Sequence, residues 1–404
     1  MRVPFAEVVQ FNPKPVKGAL ADAMEVSFVP MAAVEAGSGR MDTSTVRQFA
    51  EVRKGFTYFA DGDVLFAKIT PCMENGKSAV AKGLRNGVGF GSTEFHVLRP
   101  GERIDARFLY HFVAGASFRR EAAHHMTGAV GQKRVPVDFL RQAEIPLPSL
   151  QEQSQVVAEI ETQFSRLDQA VTNLQRVKAN LRRYVSGVLS EAVSGALTAS
   201  SKADWQTVTV ADVGDVLLGR RRAPEYATSA HLRSYLRVAN IKDDFIAFDD
   251  LESMRFDDRH LERYELAPGD ILVSEGQSPE KLGQSAIFRG HSQPLCFQST
   301  LHRFRANPAL TSPEFAQIVF RSHVRSGVFR KLGSITTNIG HLTLEKFKVA
   351  PFPLPPLGEQ RQIVAEVERR LSIARGVEAQ VEANLKRAQS LRQAVLDKAF
   401  AVEA

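Results

Sequence analysis

One segment of the chain occurs twice, and no other feature limits the possible folds so strongly. Ile145-Pro-Leu-Pro-Ser-Leu-Gln-Glu-Gln-Ser-Gln-Val-Val-Ala-Glu-Ile160 returns as Phe352-Pro-Leu-Pro-Pro-Leu-Gly-Glu-Gln-Arg-Gln-Ile-Val-Ala-Glu-Val367. Gln153 recurs as Gln360, 207 positions later, about half of the 404 residues. A repeat of that length means one architecture built twice. The prolines hold the start of each copy extended. A helix then begins near Leu150 and again near Leu357. In the first copy Val157, Ile160, Phe164, Leu167, Val171, Leu174, Leu181, Val185 and Val188 follow 3-4-3-4 spacing, with one gap at Lys178. That is the seam of a coiled coil. The second seam, Val364, Val367, Leu371, Ala374, Val381, Leu385, Ala388 and Val395, is weaker. Glu378 and Arg392 stand there where the first copy has Val171 and Val185. A helix from Leu150 to Ala196 would be roughly 65–70 Å long at 1.5 Å per residue. Neither helix can bury its stripe alone, so each is expected to pack on a partner; the alternative is two independent amphipathic helices on two separate cores, which their length and regularity disfavour.

The length is enough for two or three domains, and 44% apolar residues are enough for real cores. No run approaches the ~18 apolar residues of a membrane span. The start, Met1-Arg-Val-Pro-Phe-Ala-Glu, lacks an apolar leader, so no signal peptide and a cytoplasmic location are expected. Cys72 and Cys296 lie at non-equivalent positions of the two halves, which argues against a disulfide framework or a zinc site. A net charge of +7 with pI ≈ 9.4 favours a polyanionic partner.

The first half reads as strands at Val26–Met31 and Phe56–Phe59, then the turn Gly62-Asp63 feeding a strand to Lys68. A loop at Thr70–Lys77 and strands at Ser78–Ala81 and Ser92–Leu98 follow. Asp105 is a candidate N-cap for a helix carrying Phe108, Leu109, Phe112 and Phe118. The loop Thr127–Arg134 is basic. The second half repeats this plan at the same offset, expected to hold from Gly62 to the last helix. Gly269-Asp270, Ser299-Thr300, Ser312-Pro313 and Phe315 match Gly62-Asp63, Ser92-Thr93, Asp105 and Phe108. Frame residues repeat while loop residues differ. Lys68 is matched by Glu275, Asn75-Gly-Lys77 by Leu282-Gly-Gln284, and Gly128–Arg134 by Ile335–His341. The small, polar stretch Ser194–Asp204 reads as the linker.

Catalytic patterns fail. Gly76-Lys77-Ser78 would need a glycine at Pro71 and a following helix to be a phosphate loop. Gly87-Val-Gly-Phe-Gly91 precedes a strand rather than opening a helix. No Asn-Pro-Pro-aromatic methyltransferase motif occurs. Asp270 and Glu275 resemble part of a metal-nuclease set, but their counterparts Asp63 and Lys68 could not hold Mg²⁺ together. His124, His125, His291, His302 and His341 lack paired ligand spacing and read as solvated or structural.

These residues carry a family resemblance along essentially the whole chain. The two Pro-Leu-Pro-x-Leu-x-Glu-Gln helices resemble the two conserved regions of specificity (S) subunits of type I DNA restriction-modification enzymes. Phe28-Val-Pro-Met31, Phe59-Ala-Asp-Gly-Asp-Val-Leu65, Ala67–Lys77 and Phe90–Phe95 resemble a target recognition domain. Tyr235–Ile241 and Gly269–Val273 resemble a second, with Gln298-Ser-Thr-Leu in place of Gly91-Ser-Thr-Glu. The resemblance implies an α/β (α+β) chain of two tandem target recognition domains, each followed by a long helix. The helices would pack as an antiparallel coiled coil with pseudo-twofold symmetry and act as a ruler. The expected bounds are 1–148 and 198–355 for the domains, and 149–197 and 356–404 for the helices. It further implies a non-catalytic subunit without a cofactor that reads an asymmetric bipartite site in double-stranded DNA. Two methyltransferase (modification) subunits, which use S-adenosylmethionine, and restriction (ATP-dependent translocase/nuclease) subunits would join it, with no membrane partner. An orphan recognition subunit of a modification-only system is the alternative. A stand-alone DNA enzyme and a coiled-coil adaptor are the readings from other classes.

Base and phosphate contacts are expected on the divergent loops, where Arg, Lys, Asn, Gln, Ser and Thr suit base edges and phosphates. In the first half these are Lys68, Thr70, Asn75, Lys77, Ser92, Thr93, Gln132, Lys133 and Arg134. In the second they are Arg220, Arg221, Arg222, Gln277, Ser278, Lys281, Gln284, Ser299, Thr300, Thr337, Asn338 and His341. Ser92-Thr93 and Ser299-Thr300, being common to both halves, are expected to hold phosphate or structure rather than to read a base.

Overall fold

A computed structural model describes residues 1–129, 131–198, 205–223, 231–336 and 338–401. The chain forms two compact units, Met1–Gln175 with Glu382–Ala404, and Arg176–Val381. Each unit combines one mixed α/β domain with a part of both long helices, Leu150–Ser194 and Leu357–Phe400. Among the described residues no helix is long and apolar enough to cross a membrane.

In the first unit an antiparallel sheet runs Val9–Phe11, Phe95–Pro100, Val64–Ala67, Ser78–Val80. A second sheet runs Val46–Gln48, Glu25–Val29, Val88–Gly91, Thr57–Ala60, with its central pair parallel. Val29, Phe59, Leu65, Phe95 and Val97 pack between the sheets. The other face of the first sheet carries Val64, Phe66 and Leu98 against Phe108, Leu109 and Phe118 of the helices. The second unit repeats the first sheet as Gly214–Leu218, Leu301–Ala306, Ile271–Ser274, Ser285–Ile287. Among the described residues its second sheet has three strands, Glu252–Arg255, Leu232–Leu236 and Cys296–Phe297.

Both predicted helix caps form. The Asp105 carboxylate accepts from the amides of Arg107 and Phe108, and the Ser312 hydroxyl accepts from that of Phe315. The first helix stops at Gly115, and Phe118 rides on a separate helix, Ala116–His124. Its counterpart continues unbroken from Pro313 to Ser326. Each domain is closed by a strand pairing that hydrophobic pattern alone did not reveal. Arg2–Pro4 pairs with Glu144–Pro146, and Gln206–Thr209 with Pro351–Leu354. The opening residues of each domain thus return to the proline-rich joint that launches the long helix.

That joint is held by the repeated glutamine, fully buried in both copies. Gln153 accepts from the Asp105 amide at 2.8 Å and donates to the carbonyls of Arg103 and Pro148 at 3.0 and 2.9 Å. Gln360 accepts from the Ser312 amide and the Thr311 hydroxyl, and donates to Leu310 and Pro355 at 2.8 and 2.9 Å. One amide thereby satisfies backbone groups of both the helix-cap loop and the joint. The glutamate beside it has diverged. Glu152 forms a capping box with Ser149, whereas Glu359 receives the Thr198 hydroxyl and the indole N–H of Trp205, the lone tryptophan.

Each unit shows the long helices antiparallel. In the first, Ile160 and Phe164 pack with Leu396, and Asp168 pairs with Arg392 at 2.7 Å. In the second, Leu189 and Ala192 share a core with Ile363 and Val367, and Glu191 pairs with Arg370. Arg392 fits its seam position by lying 4.0 Å over the Phe164 ring. The second seam runs through Ile363 and Leu396 rather than Val364 and Val395, which are only partly buried. Near its ends this helix also packs on a domain core, which widens the apolar stripe beyond a coiled-coil seam.

The repeat offset is not constant, which corrects the expectation of 207 throughout. Along Phe95–Pro100 and Leu301–Ala306 it is 206, since Val64 faces Leu98 and Ile271 faces Phe304. The extra residue lies between Ala81 and Phe90: Gly62 bonds Ala81 as Gly269 bonds Phe288, whereas Phe28 faces Phe90 and Tyr235 faces Cys296. Glu94 therefore matches Thr300, their carbonyls accepting from the Lys68 and Glu275 amides. Inside the strand, one extra residue would have turned every side chain to the wrong face. Arg99 therefore matches Arg305, and each makes a two-point ion pair of 2.7 Å contacts with the buried aspartate of its own turn, Asp63 or Asp270. The suspected nuclease carboxylate Asp270 is a structural pin.

His96 matches His302 by the same slip. Their Nε2 atoms donate to the carbonyls of Val135 and Leu342, latching the residue after each divergent loop onto the central strand. Burial pushes His302 down to about 4, and it lowers His96 as well.

Two outcomes follow from this frame. Gln360→Leu should lower stability by about 3 kcal/mol or more, because each stranded buried backbone group costs ~1–3 kcal/mol. Gln362→Leu, on the exposed face of the same helix, should stay within about 0.5 kcal/mol; urea unfolding followed by Trp205 fluorescence measures both. The second outcome is acid sensitivity. An unfolded His302 takes up a proton near pH 6.5 while the folded one resists until about 4. Its stabilising effect is therefore complete above pH 6.5 and is lost as pH falls toward 4, roughly 3 kcal/mol in all. His302→Gln should flatten the dependence of the Trp205 transition on pH in that window, and an unchanged slope would count against the latch.

Candidate nucleic-acid interface

The divergent loops converge beside the central strand of each unit. In the first unit, the Thr70 amide donates to the Lys133 carbonyl and the Val135 amide to the Lys68 carbonyl. Ile69 and Thr127 both bridge to Arg134. Lys68, Thr70, Gln132, Lys133 and Arg134 are thus neighbours, with Thr93 exposed at the turn before the strand. Lys68, Thr93 and Arg134 line one groove of about 690 Å³ together with Lys14, Arg53, Phe56 and Tyr58. Arg134 pairs with Glu94 at 2.9 and 2.7 Å. The guanidinium holds the Glu94 carboxyl below the usual carboxylate range.

In the second unit Gly276–Gln277 pairs with Ile339–His341, which pairs with Ser334–Thr336. The Glu275 amide donates to the Thr300 carbonyl, and the Leu342 amide to the Glu275 carbonyl. Gln277, Ser299, Thr300 and His341 thereby gather around Glu275, with Asn338 exposed at the hairpin tip and Ser278 following Gln277. His341 Nδ1 lies 3.3 Å from a Glu275 carboxylate oxygen. Thr337 lies outside the described residues.

Other candidates sit differently. Asn75 and Lys77 belong to a turn packed on the helix Ala116–His124, where Arg119 donates to the Glu74 carbonyl. Asn75 is exposed, while the Lys77 ammonium donates to the Met31 carbonyl at 2.9 Å. Lys281 and Gln284, on the corresponding turn, line a cavity of about 520 Å³ with Arg321, Arg325 and Arg330. Arg220 is buried, donates to the Arg255 carbonyl and lies over Phe256. Arg221 is exposed, and Arg222 pairs with Glu252 at 3.3 Å. The Ser92 hydroxyl accepts from the Glu94 amide, and the Thr300 hydroxyl from the Val238 amide. Sequence reading missed Lys14, Arg53, Glu94 and the histidine latches. The histidines were legible only to a comparison that tolerates the one-residue slip.

Frame and loops together have known counterparts. The family model described as "Type I restriction modification DNA specificity domain" matches residues 4–179 and again 202–383. The specificity subunit of the type I restriction enzyme EcoAI from Escherichia coli is 38% identical over 163 residues, 40% of this chain and 27% of that protein. The StySPI specificity subunit from Salmonella potsdam is 28% identical over 312 residues, 75% of this chain and 66% of that one. The match therefore spans from about a quarter to about two thirds of these relatives. In fold, the chain resembles one from a solved structure concerned with complex assembly and conformational transition of the type I R-M system. That likeness has a TM-score of 0.79 at 19% identity and covers 100% of this chain and 98% of the other. With a match that takes in most of the sequence and occurs once in each half, this chain belongs to the family of type I restriction modification DNA specificity domains.

Proposed function

We propose that this chain is the non-catalytic specificity subunit of a type I restriction-modification enzyme. It reads an asymmetric, two-part site in double-stranded DNA, one part per domain. Its domains are 1–148 and 198–355; the helices 149–197 and 356–404 set the spacing between the half-sites. Two methyltransferase subunits and the restriction subunits dock on it in the cytoplasm, and the chemistry is theirs. The observation that carries the reading is a repeated frame with unlike loop chemistry at matching positions. Lys68 stands where the second unit has Glu275, Arg134 where it has His341, and Glu94 where it has Thr300.

Two further observations support it. The repeated carboxylates Asp63 and Asp270 are consumed by arginines, so they suit a scaffold better than a catalytic metal site. The first unit's groove also brings lysine and arginine together with exposed or half-buried aromatic rings, a surface suited to a phosphate backbone and its bases. We assign DNA contact to Lys68, Thr70, Thr93, Gln132, Lys133 and Arg134 in the first unit. In the second we assign it to Gln277, Ser278, Asn338 and His341. Lys77 and Arg220 serve the fold.

Exchanging residues 1–148 for the same unit of a relative with a different site should change one half-site and leave the other intact. Selection from randomised duplexes by the purified complex reads this directly. A change in both halves would show that the domains do not read independently.

A further inference from the structure

Arg134 is held in an unusual way for a surface arginine. A guanidinium has five N–H donors in one plane. Here Nε donates to one Glu94 oxygen at 2.9 Å and Nη2 to the other at 2.7 Å, while Nη1 donates to the Gln132 carbonyl at 3.1 Å. Three donors are used. The remaining two, one on each Nη, have no partner among the described residues. They belong to the two neighbouring nitrogens Nη1 and Nη2, on the edge next to the one that Glu94 occupies, and the side chain is 44% exposed. The plane is fixed on two sides, so the free fork is set in orientation before any ligand arrives.

The charge balance decides what the fork suits. Glu94 cancels the charge of Arg134 at contact distance, so a phosphate gains little from this pair, and Lys68 and Lys133 are better placed to attract it. A neutral group with two adjacent acceptors loses nothing to Glu94. The major-groove edge of guanine, with O6 and N7, is such a group, and arginine binds it through two parallel N–H bonds. We infer that Arg134, buttressed by Glu94 and the Gln132 carbonyl, reads a guanine in the half-site of the first domain. This rests on the DNA-reading function proposed above.

The second unit argues for the same division of labour. His341 occupies the matching position and is buttressed by Glu275 through Nδ1. An imidazole so held offers a single nitrogen, Nε2, and no fork. The same position in the two domains therefore makes different demands on the base, and a change at Arg134 should leave the other half-site alone.

The test uses the full chain in its purified complex and selection from randomised duplexes at one salt concentration. Wild type should enrich a gapped motif with an obligatory guanine in one half. Arg134→Ala should relax that single position, with discrimination falling by ~5- to 150-fold, the worth of one bidentate contact. Arg134→Lys keeps the charge but not the fork and should relax the same position. Glu94→Gln should relax it partially. If Arg134→Ala weakens binding to all sequences alike, leaves the motif unchanged and lowers the salt slope by about one, Arg134 is a phosphate contact and the inference fails. If wild type enriches no motif, the DNA-reading function itself fails. Unchanged thermal unfolding of each variant separates these results from misfolding.

Discussion

In each unit the passage from domain to long helix depends on one buried glutamine amide. Gln153 and Gln360 each bridge the helix-cap loop and the proline-rich joint through backbone groups that would otherwise be stranded away from water. The prolines at the joint cannot donate those hydrogen bonds themselves. The first strand of the domain pairs with the joint and completes the closure. A domain fastened in this way carries its loops as a rigid attachment to its helix, which is what a reader that must hold register on a duplex requires.

The fastening is repeated far more faithfully than the loops it supports. Asp63 with Arg99, and Asp270 with Arg305, make the same pin. His96 and His302 make the same latch. Between pin and latch composition varies most plainly at Arg134 and His341, which both face solvent. The acid–base pairs there show how. Arg134 is held by a glutamate from the turn before the strand, and His341 by one from the end of the neighbouring strand. Each domain thus buttresses a different side chain at one place, by different means.

Much of this was legible in the sequence, and the losses have physical causes. The long helices announced themselves through apolar spacing, and their caps through Asp105 and Ser312-Pro313. The closing strands did not, because Arg2–Pro4 and Gln206–Thr209 are short and their partners lie some 140 residues away in the chain. The histidine latch was hidden by a single insertion absorbed between Ala81 and Phe90. Arg220 looks like a DNA contact in composition, yet its guanidinium is spent on the Arg255 carbonyl and the Phe256 ring. Sequence alone does not tell which charged loop residues are already committed to the protein, and that is where the site assignment most needed coordinates.

The central claim is that one frame, built twice, presents two unlike readers to DNA. Genome-wide mapping of modified bases by long-read sequencing, in a host expressing this chain with its methyltransferase subunit, addresses it most directly. The account predicts one motif in two parts, unlike each other and separated by a fixed number of unspecified bases. A palindromic motif, or one continuous block of specified bases, would contradict it.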